Sequence, residues 1–205
     1  MGHLATKLGC ANHTFATTSA IGTAKITIRL PDDPVNGMDV TQTTPTVISL
    51  DTACAITEIS KNTCWRRIAK GDLTRVANDS RGRTMLLWSE LESNICVPIG
   101  PGDKEFIFLA DAGDAEAQNT IGQFFLHAGK HKAAVYWFQR ASKQDHPDAT
   151  QWLGYCYTSG KGVEKNDYLG LMWIAKAAAL GHVIAQEQIK ELISRALDSH
   201  PASDT

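Results

Sequence analysis

The run ATQWLGYCYTSGKGVEKNDYLGLMWIAKAAALGHVIA, residues 149–185, decides the fold. It sets small and aromatic residues at fixed intervals: Ala149, Leu153, Gly154, Tyr157, Trp173, Ala177, Ala178 and Gly181, around the loop Gly160, Lys161, Gly162, Val163. Part of the set occurs twice. Ala117, Gly122 and Phe125 precede Ala149, Gly154 and Tyr157 by 32 residues, and Trp137, Phe138 and Ala141 precede Trp173, Ile174 and Ala177 by 36. The four-residue difference falls in the loop at 160–167. A period of this size with paired helical patterns marks an array of α-hairpins, in which neighbours bury faces that no unit buries alone. Arrays of this kind bind proteins rather than perform chemistry.

The residue types suit such packing. Ala149 and Gly154 are small, so a second helix can approach the first closely, while Leu153 and Tyr157 fill the groove between them. Pro147 fits a first helical turn and Gly181 a helix end. Val183, Ile189, Leu192, Ile193 and Leu197 form an apolar stripe that predicts a capping helix over the last unit. On these residues the segment from Ala110 to about Leu197 resembles the Sel1-like repeat family, a tetratricopeptide-like class. Gly170 departs from it, standing where the family places alanine. The first unit departs too, with Gly129, Lys130, His131 and Lys132 in place of the longer Gly-x-Gly-Val loop.

With 205 residues, 43% of them hydrophobic, the chain has enough apolar material for a core. The formal charge of −2 conceals an asymmetry: residues 61–83 carry seven Lys or Arg against two Asp, a local +5 that leaves −7 elsewhere. Five cysteines, Cys10, Cys54, Cys64, Cys96 and Cys156, are scattered without a Cys-x-x-Cys pair, which favours reduced thiols. No apolar run reaches the roughly 18 residues of a membrane span, and the first 30 residues lack a secretory apolar core. The expectation is a cytoplasmic protein with no membrane contact.

Four parts follow from the punctuation: residues 1–45 as an extension with one strand at 24–30, residues 46–97 as a small α+β domain, residues 103–198 as the repeats, and 199–205 as a tail. Within the second part, 50–59 has helical spacing. Ser60 caps a second helix over 61–70, which Gly71 ends. Residues 73–77 and 84–88 then read as a hairpin whose tip holds Arg81, Gly82 and Arg83, and Ser89 opens another helix. That order is the layout of a winged helix-turn-helix. On Leu50, Ala53, Ile59, Ser60, Thr63, Trp65, Ile68, Gly71, Asp72, Leu73, the Arg81-Gly82-Arg83 wing and Trp88 to Leu91, it resembles the DNA-binding domain of MerR-type regulators and phage excisionases. The resemblance implies that Lys61, Asn62, Thr63, Arg66, Arg67 and Lys70 meet bases or phosphates of double-stranded DNA, with Arg81 and Arg83 at the wing. Five or six cations give only weak monomeric binding, so a homodimer or a second DNA-binding partner would be needed.

Enzymatic signals are missing from the pattern. The seven histidines form no metal-ligand spacing with cysteines or carboxylates. The stretch from Gly154 to Lys161 fails as a phosphate loop, because its glycines are one residue too far apart and Gly162 stands where Ser or Thr must be. No catalytic residue, metal or cofactor is expected. Tetratricopeptide-like geometry puts Glu116, Asn119 and Gln123 on the concave face, joined by Asp148, Gln151 and Tyr155 of the next unit. The resulting expectation is a non-enzymatic regulatory adaptor: repeats that bind a protein partner and a basic module that reaches DNA. The alternative is a protein-interaction scaffold without nucleic-acid contact.

Overall fold

The computed structural model describes residues 46–100 and 102–198, all within one compact unit of the chain, Thr43–Thr205. The strand expected at 24–30, the rest of the 1–45 extension and the tail lie outside the described residues.

The described chain begins with strand β1 (Val47–Ser49), then helices α1 (Leu50–Thr57) and α2 (Lys61–Lys70). Ser49 caps α1 by accepting the Thr52 N–H, and Ser60 caps α2 by accepting the Thr63 N–H. Glu58, in the left-handed region at φ 55°, ends α1 two residues before the sequence pattern does. Gly71 closes α2 at φ 83°, its N–H donating to the carbonyls of Arg67 and Ile68. Strands β2 (Arg75–Val76) and β3 (Met85–Leu87) form the expected hairpin. The three-residue β1, which the sequence reading omits, pairs antiparallel on the other side of β3 to give the order β1-β3-β2. The helix expected from Ser89 is instead two 3-10 turns, Trp88–Glu90 and Glu92–Asn94. The chain has to bend back there, because the Cys96 N–H donates to the Ile56 carbonyl on α1.

Six helices follow: α3 (Asp103–Ala112), α4 (Ala115–His127), α5 (His131–Ser142), α6 (Pro147–Ser159), α7 (Asp167–Ala179) and α8 (Val183–Asp198). The expected α-hairpins are α4 with α5 and α6 with α7. Glycines set how closely each hairpin closes. A Cβ on Gly122 would lie 2.6 Å from the Phe138 ring, and one on Gly154 would lie 2.7 Å from Ile174 and 3.0 Å from the Gly170 carbonyl. Gly170, the departure from the repeat pattern, is explained by the same crossing. A Cβ there would strike the Thr158 methyl and come within 3.0 Å of the Gly154 carbonyl. Each helix of the pair thus keeps a bare backbone for the other. Gly162, at φ +77°, lies against the His131 carbonyl so tightly that no side chain fits. The longer second loop therefore folds back on the start of α5.

One hydrophobic core runs from Ile48 to Cys156, with Trp88, Phe125, Trp137 and Phe138 at its centre. Trp65 differs from the other tryptophans, which are buried or packed against this core. It is 41% exposed, with the Arg75 guanidinium 5.8 Å from its ring. Helix α8 covers less than its stripe predicts. Only Ala185 is buried, while Val183, Ile184, Leu192, Ile193 and Leu197 face outward, since no described element packs over its far side.

Candidate functional site

Two surfaces and one buried junction collect the chemistry. The junction is built on Asp111, at the end of α3 and 4% exposed. Its carboxylate accepts the Ser49 hydroxyl, the Ser49 N–H (3.2 Å), the Thr52 hydroxyl (2.6 Å) and Arg83 Nη1 (3.1 Å). Arg83 also donates to the Asp111 carbonyl (2.8 Å) and, through Nε, to Asp79 (2.8 Å). Burial raises the cost of charge on Asp79, yet the hydrogen bonds and charge of Arg83 and the Arg81 N–H outweigh it and hold this carboxyl below its usual range. Arg81 donates through Nη2 to the Ala112 carbonyl at 2.6 Å. The hairpin tip is thus fastened to the carbonyl end of α3, where cations meet the negative pole of a helix.

The basic surface is correspondingly thinner than its composition suggests. Of the eight residues expected to face DNA, Arg83 is held by Asp79 and Asp111, Arg81 by Ala112, and Lys61 by Asp51 at 2.5 Å. The Thr63 hydroxyl lies 3.0 Å from that of Ser60. Asn62, Arg66 and Lys70 are exposed on α2 and Arg67 is half-buried, and none of the three cations is in an ion pair with another described residue.

The second surface lies along the first helices of the hairpins. Glu116 and Asp148 are exposed at equivalent positions of α4 and α6, and each meets the histidine that begins the next unit. His146 Nε2 is 2.9 Å from Glu116, while its Nδ1 accepts the Ala149 N–H and caps α6. His182 repeats the arrangement, with Nε2 3.5 Å from Asp148 and Nδ1 accepting the Ala185 N–H. Gln151 reaches Gln188 on α8 at 2.9 Å, and the Tyr155 hydroxyl accepts from Lys161 at 2.7 Å. Gln123 is half-buried beside them. Asn119 does not belong to this face. It is 2% exposed, because α4 is flanked by α3, α5 and α6 and its buried arc extends past that position.

A groove of about 810 Å³ opens where α1 and the start of α2 meet the start of α5, lined among others by Asp51, Cys54, Glu58, Lys61, His131 and Tyr136. Behind its wall the sulfur of the lining residue Cys54 lies 3.4 Å from that of the buried Cys64. The sequence separates these cysteines by ten residues on two helices, and only the tight turn between the helices brings them together. Among the described residues no group of three potential metal ligands occurs and no helix is long and apolar enough to cross a membrane.

The hairpin boundaries agree with a comparison against protein families. The Sel1 repeat family matches residues 115–146, the α4–α5 hairpin, and 147–182, the α6–α7 hairpin with its cap residues. Residues 115–182, about a third of the chain, match two Sel1 repeats. DAP3-binding cell death enhancer 1 of Rattus norvegicus is 35% identical over 88 residues, which is 42% of this chain and 17% of that protein. The chain therefore spans under a fifth of this relative's length. A solved Sel1 repeat protein from Oxalobacter formigenes is 31% identical, covering 42% of this chain and 26% of that one, with a TM-score of 0.39. Stacked repeats of this class present extended surfaces to other proteins, and the Sel1 repeats here point to protein–protein interaction.

Proposed function

We propose that this chain is a non-enzymatic adaptor whose two Sel1 repeats hold a protein partner along the first helices of the hairpins. The observation that supports this reading is the match of two hairpins to Sel1 repeats, and in it Glu116, Gln123, Asp148, Gln151 and Tyr155 on the first helices are the side chains that meet the partner. The rat relative is named for binding a protein, DAP3, and it shares enough sequence to support the same class of activity here. Residues 46–97 serve as the fixed shoulder of the stack, joined to it through Asp111.

The test is affinity capture from the source cell on immobilised chain, comparing the natural sequence with a Glu116→Lys/Gln123→Lys variant whose fold is checked by circular dichroism. A protein retained by the former and lost by the folded variant supports the reading. Equal capture by both, or none by either, overturns it.

DNA contact by α2 is a second reading, favoured by three cations, Arg66, Arg67 and Lys70, that no carboxylate among the described residues neutralises. In that reading α2 meets phosphates directly, while Arg81 and Arg83 act through the hairpin they hold in place. The adaptor role does not depend on it.

A further inference from the structure

We infer that Cys54 and Cys64 are a disulfide-forming pair that staples α1 to α2 when the protein is exposed to a peroxide oxidant. The sulfurs are already in contact at 3.4 Å, and closure to the roughly 2.05 Å of a disulfide asks for a shift of little more than 1 Å. The surroundings hold them there. Lys61 and Asp51 bridge the same two helices at 2.5 Å, and Ser60 fixes the turn as the cap of α2. Among the described residues Cys96 and Cys156 are free, and no other pair of sulfurs is in contact.

Access differs between the two. Cys54 is partly exposed in the groove wall, whereas Cys64 is 1% exposed. Peroxide therefore reaches Cys54 first. The Cys54 thiol gives up its proton and the thiolate attacks one peroxide oxygen; the S–O bond forms, the O–O bond breaks, and the departing hydroxide takes up that proton as water, leaving a sulfenic acid. The Cys64 sulfur then attacks the Cys54 sulfur; the S–S bond forms, the S–O bond breaks, and the departing hydroxide takes the Cys64 proton as a second water. Two thiol hydrogens and two electrons have passed to one peroxide. Burial, then the neighbouring sulfur, pushes the Cys54 thiol up to about 12, so the reaction is slow at neutral pH. The pair is a staple formed under sustained oxidation and differs in this from a fast sensor.

The whole chain is treated overnight with millimolar hydrogen peroxide at pH 9, alkylated, and digested with trypsin. Cleavage after Arg29, Lys61 and Arg66 puts Cys54 on residues 30–61 and Cys64 on residues 62–66, while Cys10 falls on 8–25. The expected product is one species joining 30–61 to 62–66, two hydrogens lighter than their sum. It should accompany a rise of roughly 5 °C in unfolding temperature that reductant reverses and that Cys54→Ser and Cys64→Ser each abolish. Recovery of the two peptides unlinked, or Cys54 joined to any other cysteine, overturns the inference.

Discussion

Asp111 gathers four donors from β1, α1 and the hairpin, although the sequence places them 28 to 62 residues away. A buried carboxylate in this position is costly to remove, because its loss leaves Ser49, Thr52 and Arg83 with unmet donors. Asp111→Ala is expected to lower the free energy of unfolding by about 3 kcal/mol in urea titration, and Asp111→Asn by less, since the amide oxygen still accepts. No local pattern announces this residue. It reads as one more polar position near the end of a helix, and its role depends on contacts across long loops. Asn119 was illegible because helix periodicity says which side faces in, but a helix flanked on three sides buries an arc wider than one stripe, and Cys54 and Cys64 because their meeting depends on the angle of the turn between α1 and α2.

At the scale of elements the repeats were legible because their packing leaves marks in the chain itself. Gly122 and Gly154 stand where a second helix crosses, and Pro147, Gly162 and Gly181 mark starts, loops and ends. The shoulder was legible in its helices and hairpin but not in β1 or the 3-10 turns, whose three-residue lengths carry no periodicity. The crossing of α6 and α7 permits a sharper test. Alanine at 170 is the ordinary choice in repeats of this kind, yet here its methyl meets that of Thr158. Gly170→Ala is expected to destabilise by about 1–3 kcal/mol, as overpacked cores do. The double variant Gly170→Ala/Thr158→Ala is expected to recover most of that loss, measured as a mutant cycle by chemical unfolding. Equal stability of all four proteins would refute the crowding argument.

Across the whole molecule, charge sets the strength that the second reading, DNA contact by α2, would have. Composition counts seven cations over residues 61–83; Lys61, Arg81 and Arg83 are paired or anchored, and Arg75 lies off α2, bonded to Asn78 and over the Trp65 ring, so that Arg66, Arg67 and Lys70 are the cations on α2 without an ion pair among the described residues. Each phosphate contact contributes about −0.9 to the slope of log affinity against log salt, so three give roughly −3. A fluorescence titration on random duplex DNA is expected to show that shallow slope, nearly flat in Arg66→Ala/Arg67→Ala. A slope steeper than about −6 would mean that the anchored arginines let go of their carboxylates.

The two histidine clasps have one more consequence. Residues 147–182 contain both halves of the device, the acceptor Asp148 near the beginning and the capping His182 at the end. A tandem duplication of this segment would therefore carry its own joint, each copy's aspartate meeting the histidine that opens the following one. The stack can lengthen by gene duplication without inventing a new seam.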